Sequence, residues 1–276
     1  MRLPCRLVAL ATALAPLTVA CGSSGSAADA ASGGDAAGTD AALVDAVPID
    51  SPDAAPLPDV NVVVTADNAY SFGYGDAAGI ATYIQGTRAI TAGQIFNCPI
   101  GEGPEAYTVP GADAPDSAYL YIVSWDDLAV TQGVLGQFKR GTGAPVYTGG
   151  AAWEVCATGI NLSASTTGPS QADVNGQIAI CNAGSGDAAT TSAGWVNSAG
   201  AVTPGALGTL AVGEPNDTAG GDFPQVCPAT QGGIDDAARW MWWNPGNVAD
   251  PFRSTGSNTF RAYLIFRLPT DEIPIG

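Results

Sequence analysis

The sequence predicts an all-β head of the sandwich or barrel kind with one short helix, behind a long N-terminal segment that forms no regular structure. Three observations carry this. From Asn61 to Gly75 (NVVVTADNAYSFGYG) Val62, Val64, Tyr70, Phe72 and Tyr74 share one parity, and Val63, Thr65, Ala69, Ser71 and Gly73 the other. That is the period of two of strands with one buried face. Similar stretches then recur between Gly, Pro, Asn and Asp clusters to the end of the chain, whereas nothing before Asn61 shows the pattern.

Asp67-Asn68 interrupts the first stretch as a turn or bulge. Ala118–Trp125 (AYLYIVSW) is apolar on both parities and reads as a central strand covered on each side, turned by Asp126-Asp127. Gly133–Phe138 (GVLGQF) is a short strand ending at Lys139-Arg140. In Ala152–Ala157 (AWEVCA), Trp153 and Val155 lie opposite Glu154. The helix spans Gln171–Asn182, with Ser170 as N-cap, Asp173 three residues on, Val174, Ile178 and Cys181 on one face and Gly184 as the stop. Gly176 weakens it. Ala183 to Asp236 reads as loop-rich. Ala238–Trp243 (ARWMWW) and Thr259–Leu268 (TFRAYLIFRL) close the domain. In the last, Phe260, Ala262, Leu264, Phe266 and Leu268 form a buried face, and Arg261, Tyr263, Ile265 and Arg267 a mixed one. The first and last strands are expected to be neighbours.

The 276 residues carry 26 Asp+Glu against 9 Lys+Arg, with 13% charged residues, 36 glycines and no histidine. Such an acidic field repels phosphate backbones and attracts divalent cations, so nucleic-acid binding is excluded as an expectation. Without histidine there is no Ser-His-Asp arrangement and no imidazole ligation of zinc.

Residues 1–20 read as a signal peptide: Arg2 and Arg6 are the basic start and Leu7–Val19 the apolar run, too short for a stable membrane span. Leu17-Thr18-Val19-Ala20-Cys21-Gly22 resembles the lipobox of bacterial lipoproteins, Thr18 departing from the leucine usual there. The resemblance implies lipidation of Cys21 and anchoring in the bacterial cell envelope, at the outer membrane or cell surface. Ordinary cleavage after Ala20, leaving a stray thiol, is the alternative. Loss of residues 1–20 leaves 7 Lys+Arg against 26 acids, a formal −19. Residues 21–59, rich in Ala, Gly, Asp and Pro, hold too little apolar surface to offset the entropy of ordering. They are expected to form a disordered tether that holds the 60–276 head away from the membrane.

Cys98, Cys156, Cys181 and Cys227 remain in the head, an even number in an exported chain, which points to two disulfides. Three pairings are possible. Cys156–Cys181 with Cys98–Cys227 is the expectation because the first would fasten the helix to a nearby strand.

Several motifs together resemble the galactose-binding-like jelly-roll modules of bacterial glycosidases and surface proteins. They are Ala66-Asp67-Asn68-Ala69-Tyr70, Gly133–Phe138, Trp153-Glu154-Val155, Trp240-Met241-Trp242 and Phe260-Arg261. Gly73-Tyr74-Gly75 departs from the Asn-Gly turn usual after the first aromatic strand. The resemblance implies a two-sheet jelly-roll β-sandwich that binds rather than catalyses, with carbohydrate as the ligand class. A protein-binding structural or adhesive role and a glycoside-acting enzyme are the alternatives.

Glycan recognition needs an exposed aromatic face beside polar groups. Trp243 with Asn244, Tyr74 and Trp195 are the candidates, each with a core reading beside it. Trp125, Trp153, Trp240 and Trp242 read as core. A structural calcium would be held by Glu214, Asn216, Asp217 and Asp222 in GEPNDTAGGD, which is otherwise a solvated acidic loop. Hydrolysis without histidine would need paired carboxylates, drawn from Glu102, Glu105, Asp126, Asp127 and Glu154.

Overall fold

The computed structural model describes residues 55–67, 69–86, 89, 92–98, 103–125, 130–162, 167–184, 194–246, 248–253 and 262–276. Cys21, the signal segment and most of the tether lie outside them, as do Glu102, Asp126, Asp127, Phe260 and Arg261.

Among the described residues thirteen strands form two antiparallel sheets. In the first, β1 (Val60–Asp67) lies between β4 (Glu105–Val109) and β6 (Gly133–Arg140), and β12 (Arg239–Asn244) and β11 (Thr209–Pro215) extend it past β6. The two-residue β7 (Val146–Tyr147) also pairs with β6. In the second sheet β5 (Ala118–Trp125) lies between β2 (Ala69–Asp76) and β13 (Ala262–Pro269). Beyond β2 comes β3 (Gly79–Gln85), and beyond β13 come β8 (Glu154–Asn161), β9 (Trp195–Asn197) and β10 (Gly200–Ala201). The fold is thus a two-sheet β-sandwich whose chain passes repeatedly from one sheet to the other.

The alternation sorts residues as expected. Val60, Val62, Val64, Tyr70, Phe72, Leu120, Ile122, Leu264, Phe266 and Leu268 share one core between the sheets. The opposite parity of the second sheet fills another layer: Tyr121, Val123, Trp125, Tyr263 and Ile265 pack under α2 (Gln171–Ala183) with its Val174, Ile178 and Cys181. β5 is therefore covered on both faces. Full burial of each large apolar side chain contributes roughly 1.5–3 kcal/mol, so this double layer outweighs the helix's weak intrinsic propensity.

Ser170 caps α2 through a reciprocal pair with Asp173, and Gly184 ends it in the left-handed conformation at φ 62°. Disulfides join Cys156 to Cys181 and Cys98 to Cys227. The first fastens α2 to β8. The second ties the segment after α1 (Ala92–Phe96) to the loop before β12.

Several expectations are corrected. The first and last strands are not neighbours: β1 pairs with β4 and β6, and β13 pairs with β5 and β8 in the other sheet. At Asp67 the chain leaves one sheet and at Ala69 it joins the other. The loop-rich region holds β9, β10 and β11, and α1 is a second short helix. The ordered chain also reaches back before Val60: the Asp59 carboxylate accepts the Gly111 N–H at 2.8 Å, and the Asp59 carbonyl accepts the Gly141 N–H.

Candidate functional site

An open groove of about 600 Å³ lies at one end of the second sheet, lined by Tyr74, Asp76, Thr82, Asp113, Ser117 and Asn175 among others. Its first wall is the β2–β3 hairpin. Asp76 accepts the backbone N–H groups of Ala78 and Gly79 at 2.8 and 3.2 Å, the turn for which aspartate is suited. A register shift between Tyr74 and Gly75 re-aims the strand there.

Helix α2 contributes Asn175 to the lining. The Asn175 side chain accepts the Ile80 N–H at 2.8 Å and donates to the Ile80 carbonyl at 3.1 Å, while Gln171 donates to the same carbonyl at 2.8 Å. These bonds satisfy an edge-strand peptide that would otherwise invite pairing with another chain. Asn182 donates to the Ala77 carbonyl at 2.7 Å and locks the turn to the helix.

The second wall is the Gly111–Ala118 segment, braced from beneath by Arg140. This guanidinium is fully buried and donates from Nη2 to the carbonyls of Ala114 and Thr270 at 2.8 and 3.1 Å. The closest carboxylate is the exposed Asp116, 3.9 Å from Nη1. Removing the Arg140 head would take this donor from the Ala114 carbonyl, while the Thr270 carbonyl would keep the Ile273 N–H.

Of the four glycan candidates, Tyr74 alone lines this groove. Trp243 is 2% exposed and its indole N–H donates to the Leu207 carbonyl at 3.2 Å. Trp195 is 1% exposed, donates to Asn182 at 2.7 Å and lies beneath the Arg267 guanidinium. Asn244 organises a turn, accepting the Gly246 N–H at 2.8 Å and donating to the Val248 carbonyl. All six tryptophans are buried, so none offers a stacking face. The parity argument for Trp243 fails because the Leu207-Gly208 segment covers the outer side of β12 there.

The acidic loop is internally satisfied. Glu214 accepts the backbone N–H groups of Asp222 and Phe223, and Asp217 accepts that of Ala219. Asn216 is buried, accepting the Val226 N–H at 2.7 Å and donating to the Ile234 carbonyl at 2.8 Å. Asp222 is bound by the Arg253 guanidinium. Among the described residues no group of three or more His, Cys, Asp or Glu side chains converges as a metal cluster.

The described carboxylates of the enzyme reading are likewise engaged. Glu154 accepts Arg267 Nε at 2.6 Å. Glu105 accepts the hydroxyls of Tyr70 and Tyr107, which lie 3.0 Å apart. Burial, with Tyr107 and Glu105 adding to it, pushes the Tyr70 hydroxyl well above its ordinary value. The Tyr107 hydroxyl is raised chiefly by burial.

Sequence reasoning missed Asp76, Thr82, Asp113, Ser117 and Asn175. The DAAG turn at Asp76–Gly79 and the GADAPD run at Gly111–Asp116 carry turn chemistry, but only the fold places them opposite one another. No protein-family model matches this chain, and neither a curated protein nor a solved structure matches it.

Proposed function

We propose that the protein is a non-catalytic cell-envelope lipoprotein whose β-sandwich head binds carbohydrate in the groove between the β2–β3 hairpin and the Gly111–Ala118 segment. The observation that carries the reading is the groove's lining, which brings one half-buried aromatic, Tyr74, together with the carboxylates of Asp76 and Asp113 and the hydroxyls of Thr82 and Ser117. A ring face beside clustered acceptors and hydroxyls suits a sugar, which presents an apolar C–H face ringed by hydroxyl donors. A volume of about 600 Å³ has room for a short oligosaccharide, and its openness to solvent suits a polymer passing through.

Binding is favoured over hydrolysis by the engagement of Glu105 with two tyrosines and of Glu154 with Arg267. The envelope address rests on the basic and apolar N-terminal residues and the lipobox ending at Cys21. Two disulfides are compatible with export.

A glycan array probed with the protein and with Tyr74→Ala tests the ligand class. A discrete set of bound glycans that the variant loses supports the reading; general silence favours the protein-partner alternative. Palmitate labelling that requires Cys21 tests the anchor.

A further inference from the structure

The two disulfides meet solvent differently. Cys156 and Cys181 are both 0% exposed, and the bond between them lies in the apolar layer that α2 closes over the second sheet. In the other bond Cys227 is 2% exposed, whereas its partner Cys98 is an exposed residue just past α1. A thiolate opens a disulfide by attacking one sulfur and expelling the other, so access at a single end is enough. Here Cys98 is that end.

What this bond holds is an independent observation. α1 has five residues, well short of the roughly 12–15 at which a helix begins to hold by itself. It gives Ile95, 2% exposed, to the core, and the centre of its Phe96 ring stands 6.3 Å from that of Trp240. Two hydrogen bonds reach its C-terminal end from the rest of the head: Thr65 Oγ1 donates to the Ile95 carbonyl at 3.4 Å, and the Cys227 N–H donates to the Phe96 carbonyl at 3.2 Å. Both are at or beyond the long end of the usual range. The second comes from the disulfide-bonded residue itself, so the covalent tie and a long hydrogen bond secure α1 at the same point.

We infer that Cys98–Cys227 is an exchange site for a dithiol reductant, and that its opening releases α1 from Trp240 while Cys156–Cys181 stays closed. A thiolate of the dithiol attacks Cys98 Sγ; a mixed disulfide forms there as the bond to Cys227 breaks, and Cys227 leaves as a thiolate that takes up a proton. The second thiolate of the same dithiol then attacks its partner sulfur in the mixed disulfide. That step closes the reductant's own disulfide and expels Cys98 as a thiolate, which is also protonated, so two electrons and two protons pass from the dithiol to the protein. Access to Cys98 sets how fast the bond opens, whereas the 129-residue separation of its ends favours the closed form when an oxidant replaces the reductant. The device is thus reversible, and it does not depend on the glycan groove.

The full chain, with free thiols first blocked by iodoacetamide, is incubated with dithiothreitol in the absence of denaturant, quenched with N-ethylmaleimide and mapped by peptide mass spectrometry. Maleimide should label Cys98 and Cys227 at least tenfold faster than Cys156 and Cys181. A short pulse of the monothiol 2-mercaptoethanol, quenched in acid, should leave its mixed disulfide on Cys98 and not on Cys227. In the paired variant Cys98→Ala with Cys227→Ala, hydrogen exchange should accelerate over Ala92–Phe96 while the α2 amides keep their protection. Equal labelling rates, earlier opening of Cys156–Cys181, resistance of both bonds to dithiothreitol or an adduct on Cys227 would each overturn the exchange site. Exchange that rises in α2 as much as in α1, or in neither, would overturn the release of α1.

Discussion

The Arg267 guanidinium carbon stands 3.8 Å from the centre of the Trp195 ring. On its other contacts, Arg267 approaches the Tyr119 ring at 4.8 Å, donates to Glu154 at 2.6 Å and donates to Asn182 at 3.1 Å. One planar cation thereby joins β13, β5, β8, β9 and α2, and this is why Trp195 serves the fold instead of a ligand. An ammonium group can neither stack nor bond two acceptors in a fork. Arg267→Lys should therefore destabilise the head by roughly 1–3 kcal/mol, seen as a lower urea midpoint with an unchanged m-value.

The two disulfides should differ in worth. Chain-entropy reasoning gives about 3.5 kcal/mol for the bond Cys156–Cys181, whose ends are 25 residues apart, and about 5 kcal/mol for Cys98–Cys227, whose ends are 129 apart. Paired Cys→Ala variants compared by chemical denaturation should show the larger loss for Cys98–Cys227. The reverse order would mean that the helix staple matters beyond its loop.

Stability should fall on the alkaline side. Tyr70, Tyr107 and Tyr121 all have hydroxyls raised above their ordinary value, with burial the largest cause in each. The folded state therefore keeps protons that the unfolded chain releases near pH 10, so these groups stabilise fully below that pH and lose the contribution as pH rises beyond it. Urea midpoints measured from pH 8 to 11 should be level at first and then decline. Tyr70→Phe should make the decline shallower.

Calcium should have little effect on the head. Asp222 is bound to Arg253, Asn216 holds two backbone groups, and Glu214 and Asp217 cap local N–H groups, so a cation would have to displace existing bonds. Adding millimolar calcium or a chelator should shift the thermal midpoint by no more than about 1 °C, where a site bound at a hundred times its dissociation constant would add about 2.7 kcal/mol. A rise of several degrees would support a structural calcium in this loop.

What could be read from the chain alone was local. The α2 helix was legible because its cap, its buried triplet and its stop are set by neighbouring residues: Ser170 with Asp173, Val174 with Ile178 and Cys181, and Gly184. β5 and β13 were legible because burial on both faces leaves long apolar runs. β3 was not, since in GIATYIQ only Ile80 is buried and an edge strand leaned on by a helix shows little alternation. The groove was illegible for a different reason: Asp76 and Asn175 are far apart in sequence, and helix packing against β3 brings their segments together. Trp243 misled because alternation reports which sheet face a residue takes, not whether a loop covers that face.

The account depends most on Tyr74 lying in a sugar-binding groove, and calorimetric titration of an array-selected oligosaccharide into the parent protein, Tyr74→Ala and Ser117→Ala tests this directly. The prediction is measurable affinity in the parent, at least a tenfold loss in Tyr74→Ala, equal to about 1.4 kcal/mol, and a smaller loss in Ser117→Ala, with both variants folded. Undiminished affinity in a folded Tyr74→Ala protein, or no heat from any oligosaccharide, would contradict it.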